Sequence, residues 1–268
     1  MQTPGTAGHL MLVGAICRDT LHAEQGHTSV LRRTHDLDLA LAVDDWDVYE
    51  RLTKSLPPCG TASNIRFRVA GAPVDIVPFG GVESPDGEIP PMRDADPMNV
   101  FGFRDVWNDA TTLTLDDGLN VRLPSIAGYT VLKLSAWAHR SQVGEFKDGS
   151  DLACPIYWYE SSDHHRERLY TEPRGQHALS LEWDTSGATS LDASTLLLAG
   201  DAMALLTQAH RAELVARWEL VEDDLLATYM DNDSLEKWPR RTNPLLAQYA
   251  RSIRTGLTLA NGNDMDEA

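Results

Sequence analysis

The sequence predicts an α+β fold, with strands and helices mixed in the front half and helices alone in the rear. Three observations carry that prediction. Period-two alternation recurs in short runs up to about residue 124, as in "DLDLALAV", "NIRFRV" and "NVRLP". Those runs are separated by turn residues or by short helical patterns. Beyond residue 125 the apolar residues recur at helical spacing, and long stretches such as "DASTLLLAGDAMALLTQAHRAELVARWELVEDDLLATYM" contain no strand signal.

The elements follow in order. An apolar run from Leu10 reaches Gly14-Ala15, and "ICRDTLHA" continues it as a helix. The second half of "HTSVLRRTHDLDLALAV" reads as a strand. In "DDWDVYERLTKSLP", Asp44 or Asp45 is placed to cap a helix with Trp46, Tyr49, Leu52 and Leu56 on one face, stopped by Pro57-Pro58. "NIRFRVAGAPVDIVPF" is a hairpin turning at "AGAP", and "ATTLTLDDGLNVRLP" a second one turning at Asp117-Gly118. Residues 80–100, rich in Gly, Pro and Asp, read as a long loop. Ser125 opens an amphipathic helix, and another runs through about Glu160. Residues 161–192 are polar with weak periodicity and read as loop with one strand at most. Asp192 caps the long helical stretch, and "NGNDMDEA" reads as a disordered tail.

The chain has 268 residues with 23 basic and 40 acidic side chains, a formal net charge of −17 with neutral histidines. That balance argues against a broad surface for wrapping nucleic acid, though not against a small basic site. The three cysteines, Cys17, Cys59 and Cys154, are too scattered for a disulfide framework or a zinc signature, which fits a reducing cytoplasm. "HLMLVGAIC" is too short to span a bilayer and lacks the start of a signal peptide, so the expectation is a soluble, intracellular protein. His164-His165 has no matching Cys or His spacing and is read as a surface or core feature.

The chemistry begins at Asp36 and Asp38. Side chains two apart on a strand share a face, so these carboxylates project together while Leu37, Leu39 and Leu41 point into a core. Adjacent carboxylates repel unless a cation neutralises them, and Mg²⁺ prefers such oxygens. A solvated edge strand is the bland alternative. Asp75 adds a third acid within another β-branched run, and three such acids suit two ions ~3.5–4 Å apart for in-line displacement at phosphorus. Upstream, Gly14-Ala15 lets a backbone approach a phosphate at a helix start.

In that order, "LVGAICRDTL", "RRTHDLDLALA" and "VDIVPFG" resemble the nucleotidyltransferase superfamily with a polymerase-beta-like fold. "GAICRD", with Arg18, is similar to a run in CCA-adding tRNA nucleotidyltransferases. The nearer resemblance is to the AbiEii/MenT-like nucleotidyltransferase toxins of bacterial toxin–antitoxin pairs. Arg32, Thr34, Asp36 and Asp38 match their R-x-T-x-D-[IL]-D motif; Lys133, Ala136 and Arg140 match a later helix; Lys147, Asp148 and Asp151 match a Lys-Asp block. The turn departs from the family's Gly-Ser, so one hydroxyl contact to phosphate is missing. The matches span about residues 10 to 155.

The resemblance implies a catalytic core over 1–124, a helical domain over 125–255 that contributes Lys133 and Asp151, and a tail over 256–268. It implies catalysis by Asp36, Asp38, Asp75, Lys133 and Asp151, with the first three holding two Mg²⁺ (or Mn²⁺) ions. The NTP would be bound through Gly14, Ala15, Arg18, Arg32, Thr34, Arg140 and Lys147. From the residues alone, Lys133 and Arg140 share a face of the Ser125 helix with Trp137, which suits a triphosphate. Asp151 would pair with Lys147, orient Lys133 or help activate the attacking hydroxyl. The implied acceptor is the tRNA 3′ end and the implied partner a cognate antitoxin. The acidity of the chain favours instead a cationic small-molecule acceptor, or a protein hydroxyl. The basic clusters "RFR", "HHRER" and "KWPRR" would have to supply any RNA contact. A degenerate nucleotide-binding module is a third alternative.

Overall fold

The computed structural model describes residues 9–32, 37–59, 65–84, 87–90, 97–116, 118–184 and 191–262. The chain falls into two units. One holds residues up to Leu21 and Arg32–Ser125; the other holds His22–Leu31 and everything from Ile126.

In the first unit, β1 (Leu10–Leu12) leads into α1 (Gly14–Glu24), followed by β2 (Leu37–Val43) and α2 (Trp46–Thr53). Then come β3 (Arg66–Val69), β4 (Ala72–Gly80), the short β5 (Glu88–Ile89) and β6 (Met98–Asn99), α3 (Phe103–Asp109), β7 (Thr111–Thr114) and β8 (Asn120–Leu123). Six of these strands form one mixed sheet in the order β3-β4-β2-β1-β8-β7. β2 runs parallel to β4 and antiparallel to β1, and β1 runs parallel to β8. Both expected hairpins form, β3 with β4 and β7 with β8, and Asp117 of the second expected turn lies outside the described residues. The first turns at Ala70-Gly71, both at positive φ, the geometry a two-residue turn demands.

Alternation decides what each sheet face does. Leu41, Val74 and Ile76 are buried with Tyr49 and Phe67, and Leu37 and Leu39 pack against them. This core lies under α2, whose N-terminus is capped by Asp45: its Oδ1 accepts from the Val48 N–H at 2.8 Å. Tyr49 closes the layer by donating to the Ile76 carbonyl at 2.9 Å. The helix ends at Thr53, so Leu56 lies beyond it. The segment 80–100 is not all loop, since β5 and β6 pair there.

The second unit contains α4 (Ile126–Arg140), a 3₁₀ turn at Ser141–Val143, α5 (Lys147–Ser161), α6 (Asp163–Thr171) and α7 (Pro173–Asp184). α8 (Ala193–Leu205), α9 (Gln208–Trp218), α10 (Asp223–Tyr229) and α11 (Pro244–Asn261) complete it. α6 and α7 correct the expectation of loop over 161–192, and they place His164-His165 in a helix. Ser162 caps α6 and Pro173 opens α7. What holds these polar helices is a tertiary ion network. Arg168 and Arg174 both donate to Asp201 on α8, at 2.8–3.0 Å, and the Tyr159 hydroxyl joins them at 2.8 Å. The long helical stretch is three helices, interrupted at Leu206 and before Asp223. α11 continues to Asn261 with Leu257 and Ala260 buried, so the first six residues of the expected tail are helix. Its Gly256 permits a close crossing, because a Cβ there would stand 2.6 Å from the Ala199 Cβ on α8. Cys17, Cys59 and Cys154 are not in disulfides. No described helix is long and apolar enough to cross a membrane.

One half-buried acid gives this unit a pH signature. Burial pushes the Glu160 carboxyl up to about 7; nearby Asp192 adds to the rise, and a 2.5 Å hydrogen bond from the Tyr249 hydroxyl opposes it. A raised folded pKa means stability that is full below the unfolded value of 4.5 and lost as pH rises through about 7. Glu160→Gln should therefore gain on the natural chain between pH 5 and 8, by up to about 3 kcal/mol. Thermal midpoints of both chains across that range check this; parallel curves would refute it.

Candidate functional site

In the sheet unit the site is a product of register. β2 and β4 are parallel neighbours with Asp38 directly opposite Asp75. Facing positions on adjacent strands lie ~4.8 Å apart and share a face, so the two carboxylates stand side by side, away from the Leu37–Ile76 core. β1 delivers a third component. After Val13, Gly14 takes a φ of +62° and opens α1 beside Asp38. A Cβ on Gly14 would fall 2.0 Å from the Asp38 Oδ2, so only glycine accepts both this conformation and this carboxylate.

Arg66 completes the arrangement. It lies opposite Asp75 across the β3–β4 hairpin and grips it with two 2.7 Å bonds, Nε to Oδ1 and Nη2 to Oδ2. A fork-on-fork pair uses one lone pair on each oxygen and leaves the other. Arg66 did not emerge from the sequence except as part of a basic cluster. Asp36 and Thr34 lie outside the described residues. Among the described residues no group of three or more acids, histidines or cysteines forms a metal-binding cluster.

The predicted nucleotide ligands fare differently from one another. Ala15 follows Gly14 into the first turn of α1. Arg18 is buried, and its guanidinium is engaged with the Asp19 carboxylate and with the Arg32 carbonyl, the latter at 2.7 Å. It braces the chain leading into β2. The Arg32 side chain is exposed.

The helical unit gathers the second set. Lys133 on α4 donates to Asp148 Oδ1 at 2.9 Å and to Asp151 Oδ2 at 2.6 Å, both on α5. Arg140 donates to the other Asp148 oxygen at 2.8 Å. Asp148 is fully buried, Asp151 nearly so, and Lys133 is 12% exposed. Burial alone would pull the Lys133 ammonium down, but Asp151 and Asp148 outweigh it and hold the pKa above its ordinary value. Burial likewise works to raise Asp148, and Lys133 and Arg140 override it, so that carboxyl sits below its usual range. Asp151 thus pairs with Lys133, one of the contacts expected for it. Lys147 itself is exposed at the first position of α5.

Two clusters therefore exist, each complete in its own unit: an acidic pair with a glycine turn, and a buried lysine held by two aspartates. No protein-family model and no curated protein matches this chain. The two clusters and the resemblance of the motifs are therefore what bear on function. Asp148 is the residue that the motifs alone undervalue; its signal is its place beside Lys147 in the Lys-Asp block.

Proposed function

We propose that the protein is a Mg²⁺-dependent nucleotidyltransferase that moves a nucleotide from an NTP to an acceptor hydroxyl with release of pyrophosphate. The observation that carries this reading is the in-register Asp38–Asp75 pair beside the positive-φ Gly14 at the head of α1. The donor set fits a hard cation: oxygen ligands on rigid strands, with a lone pair still open on each Asp75 oxygen. Asp38 and Asp75, with Asp36 by motif, would hold the ion. When bound, Mg²⁺ lowers the pKa of a coordinated hydroxyl and neutralises charge on phosphate oxygens.

The chain's own residues supply the rest of the reaction. Gly14 and Ala15 offer backbone N–H groups at a helix start, which suits a phosphate without a serine hydroxyl. Arg66 balances Asp75 until the cation arrives. Lys133 spends two of its three N–H groups on Asp148 and Asp151, which fixes its position and keeps it charged. By the motif resemblance this lysine would neutralise a triphosphate, a role for which a fixed positive charge needs no reorganisation. The motif resemblance makes the tRNA 3′ end the acceptor and a protein antitoxin the partner. The net charge of −17 favours a second reading, a cationic small molecule such as an aminoglycoside.

Purified protein incubated with Mg²⁺, each α-labelled NTP in turn and either total tRNA or an aminoglycoside tests the reading. Label on tRNA is the expected result, and it names the nucleotide. Label on an aminoglycoside but not on tRNA would support the second reading. Transfer to neither would overturn both.

A further inference from the structure

The helical unit contains a surface cleft of about 430 Å³ between the start of α5 and the chain after α10. The geometry points to a binding site for a nucleoside phosphate in this cleft. The cleft shares Lys147 with the NTP contacts that the motif resemblance implies, but its other lining residues lie outside those contacts and binding there needs no turnover.

Charge comes first. The chain is strongly acidic, and its basic clusters are largely neutralised: Arg66 by Asp75, Arg168 by Asp201, Arg240 by Asp233. Two cleft cations differ. Neither Lys147 nor Arg241 has an acidic partner among the described residues, and both are exposed. Arg241 is also pre-positioned. Its guanidinium lies 5.4 Å from the centre of the Tyr229 ring, and its Nε donates to the Thr228 carbonyl at 3.1 Å. A guanidinium held on an aromatic face presents its remaining N–H fork at little entropic cost, which suits a phosphate.

The rest of the wall calls for hydrogen-bond donors on the ligand. The Ser150 hydroxyl donates to the Lys147 carbonyl and the Thr228 hydroxyl to the Asp224 carbonyl. Each has one proton, so both oxygens remain as acceptors only. Asp231, also in the wall, carries a buried oxygen, Oδ1, with no hydrogen-bond partner. Phe146 and Tyr229 add apolar surface as a stacked pair, their centroids 4.3 Å apart at 21°. Phosphate for the cations, sugar or base donors for the acceptors and a flat ring for the aromatic pair describe a nucleotide. The volume lies within the ordinary range for small-molecule sites. The ligand is either a free mononucleotide or one unit of a single-stranded RNA.

Calorimetric titration of the full chain with the four nucleoside monophosphates, adenosine, inorganic phosphate and a 5′-phosphorylated RNA hexamer separates these cases. At least one monophosphate or the hexamer should saturate one site, and adenosine should bind about tenfold more weakly or worse. Lys147→Glu and Arg241→Met should each weaken binding about tenfold, methionine keeping the packing on Tyr229. The titration is run without Mg²⁺, so that the Asp38–Asp75 pair, which would need the ion, does not contribute. A hexamer that binds more tightly than any monophosphate, with a steeper salt dependence, identifies RNA as the source; equal affinities identify the free nucleotide. No saturation, or affinity indifferent to both cleft variants, overturns the proposal. Binding that appears only with Mg²⁺ and is indifferent to both cleft variants overturns it too, while leaving the transferase reading intact.

Discussion

Asp38→Asn is expected to lower nucleotide transfer at least about 100-fold, since even the outer partners of a bound metal cost 10–100-fold when replaced. Asparagine keeps the shape and one oxygen but loses the charge that binds a cation. The fold should not suffer. Asp38 is half-buried on the face opposite the Leu41–Ile76 core, so no packing is lost. The expected signature is therefore an inactive protein whose thermal midpoint holds. A fallen midpoint would make Asp38 a structural residue, and retained activity would remove it from the reaction. Gly14→Ala should reach the same loss by another route. The new methyl would claim the space of Asp38 Oδ2, and a φ of +62° costs a side-chain-bearing residue about 1–2 kcal/mol. If Gly14→Ala is fully active, the close packing of turn and carboxylate has no catalytic meaning.

How far these features could be read from the sequence depends on the range of the interaction that fixes each one. The sheet unit was largely legible because its signals are local. Alternation placed Leu37, Leu39 and Leu41 in the core, and "AGAP" placed the first hairpin. Once that turn is fixed at Ala70-Gly71, counting outward puts Arg66 opposite Asp75, so the clamp was available from pairing arithmetic alone. The parallel register that sets Asp38 beside Asp75 was not available, since no turn connects β2 to β4. In the helical unit, α6 was missed because "DHHRERLYT" has one buried residue, Leu169, and no apolar stripe. Its anchor is Arg168 on Asp201, 33 residues away. An ion pair at that separation leaves no periodic trace. The Lys-Asp block was visible as a motif, but which acid met Lys133 depended on how α4 and α5 pack.

Asp148→Asn should be the most damaging single change in the helical unit. Asp148 is fully buried and bridges two cations, Lys133 through Oδ1 and Arg140 through Oδ2. Neutralising it leaves Lys133, itself nearly buried, with Asp151 as its remaining charged partner. Breaking a buried pair typically costs 3–5 kcal/mol; Arg140 is 38% exposed and can turn to water, which reduces the expected loss to about 2–3 kcal/mol. For a chain of this size that lowers the thermal midpoint by about 5–10 °C. The pH dependence gives a second check. The folded carboxyl sits below its ordinary value of 3.8, so its contribution is present above that pH and disappears as pH falls through the lower folded value. The gap between natural chain and variant should hold steady from pH 8 to about 5 and close only in stronger acid. A gap below about 0.5 kcal/mol at neutral pH would mean that water or Asp151 replaces the lost partner at no cost. A large gap has a functional corollary. It would show that the fold retains a buried charge triad whose centre is the same lysine that the transferase reading needs fixed and charged, so the stabilising contact and the catalytic one would be a single arrangement.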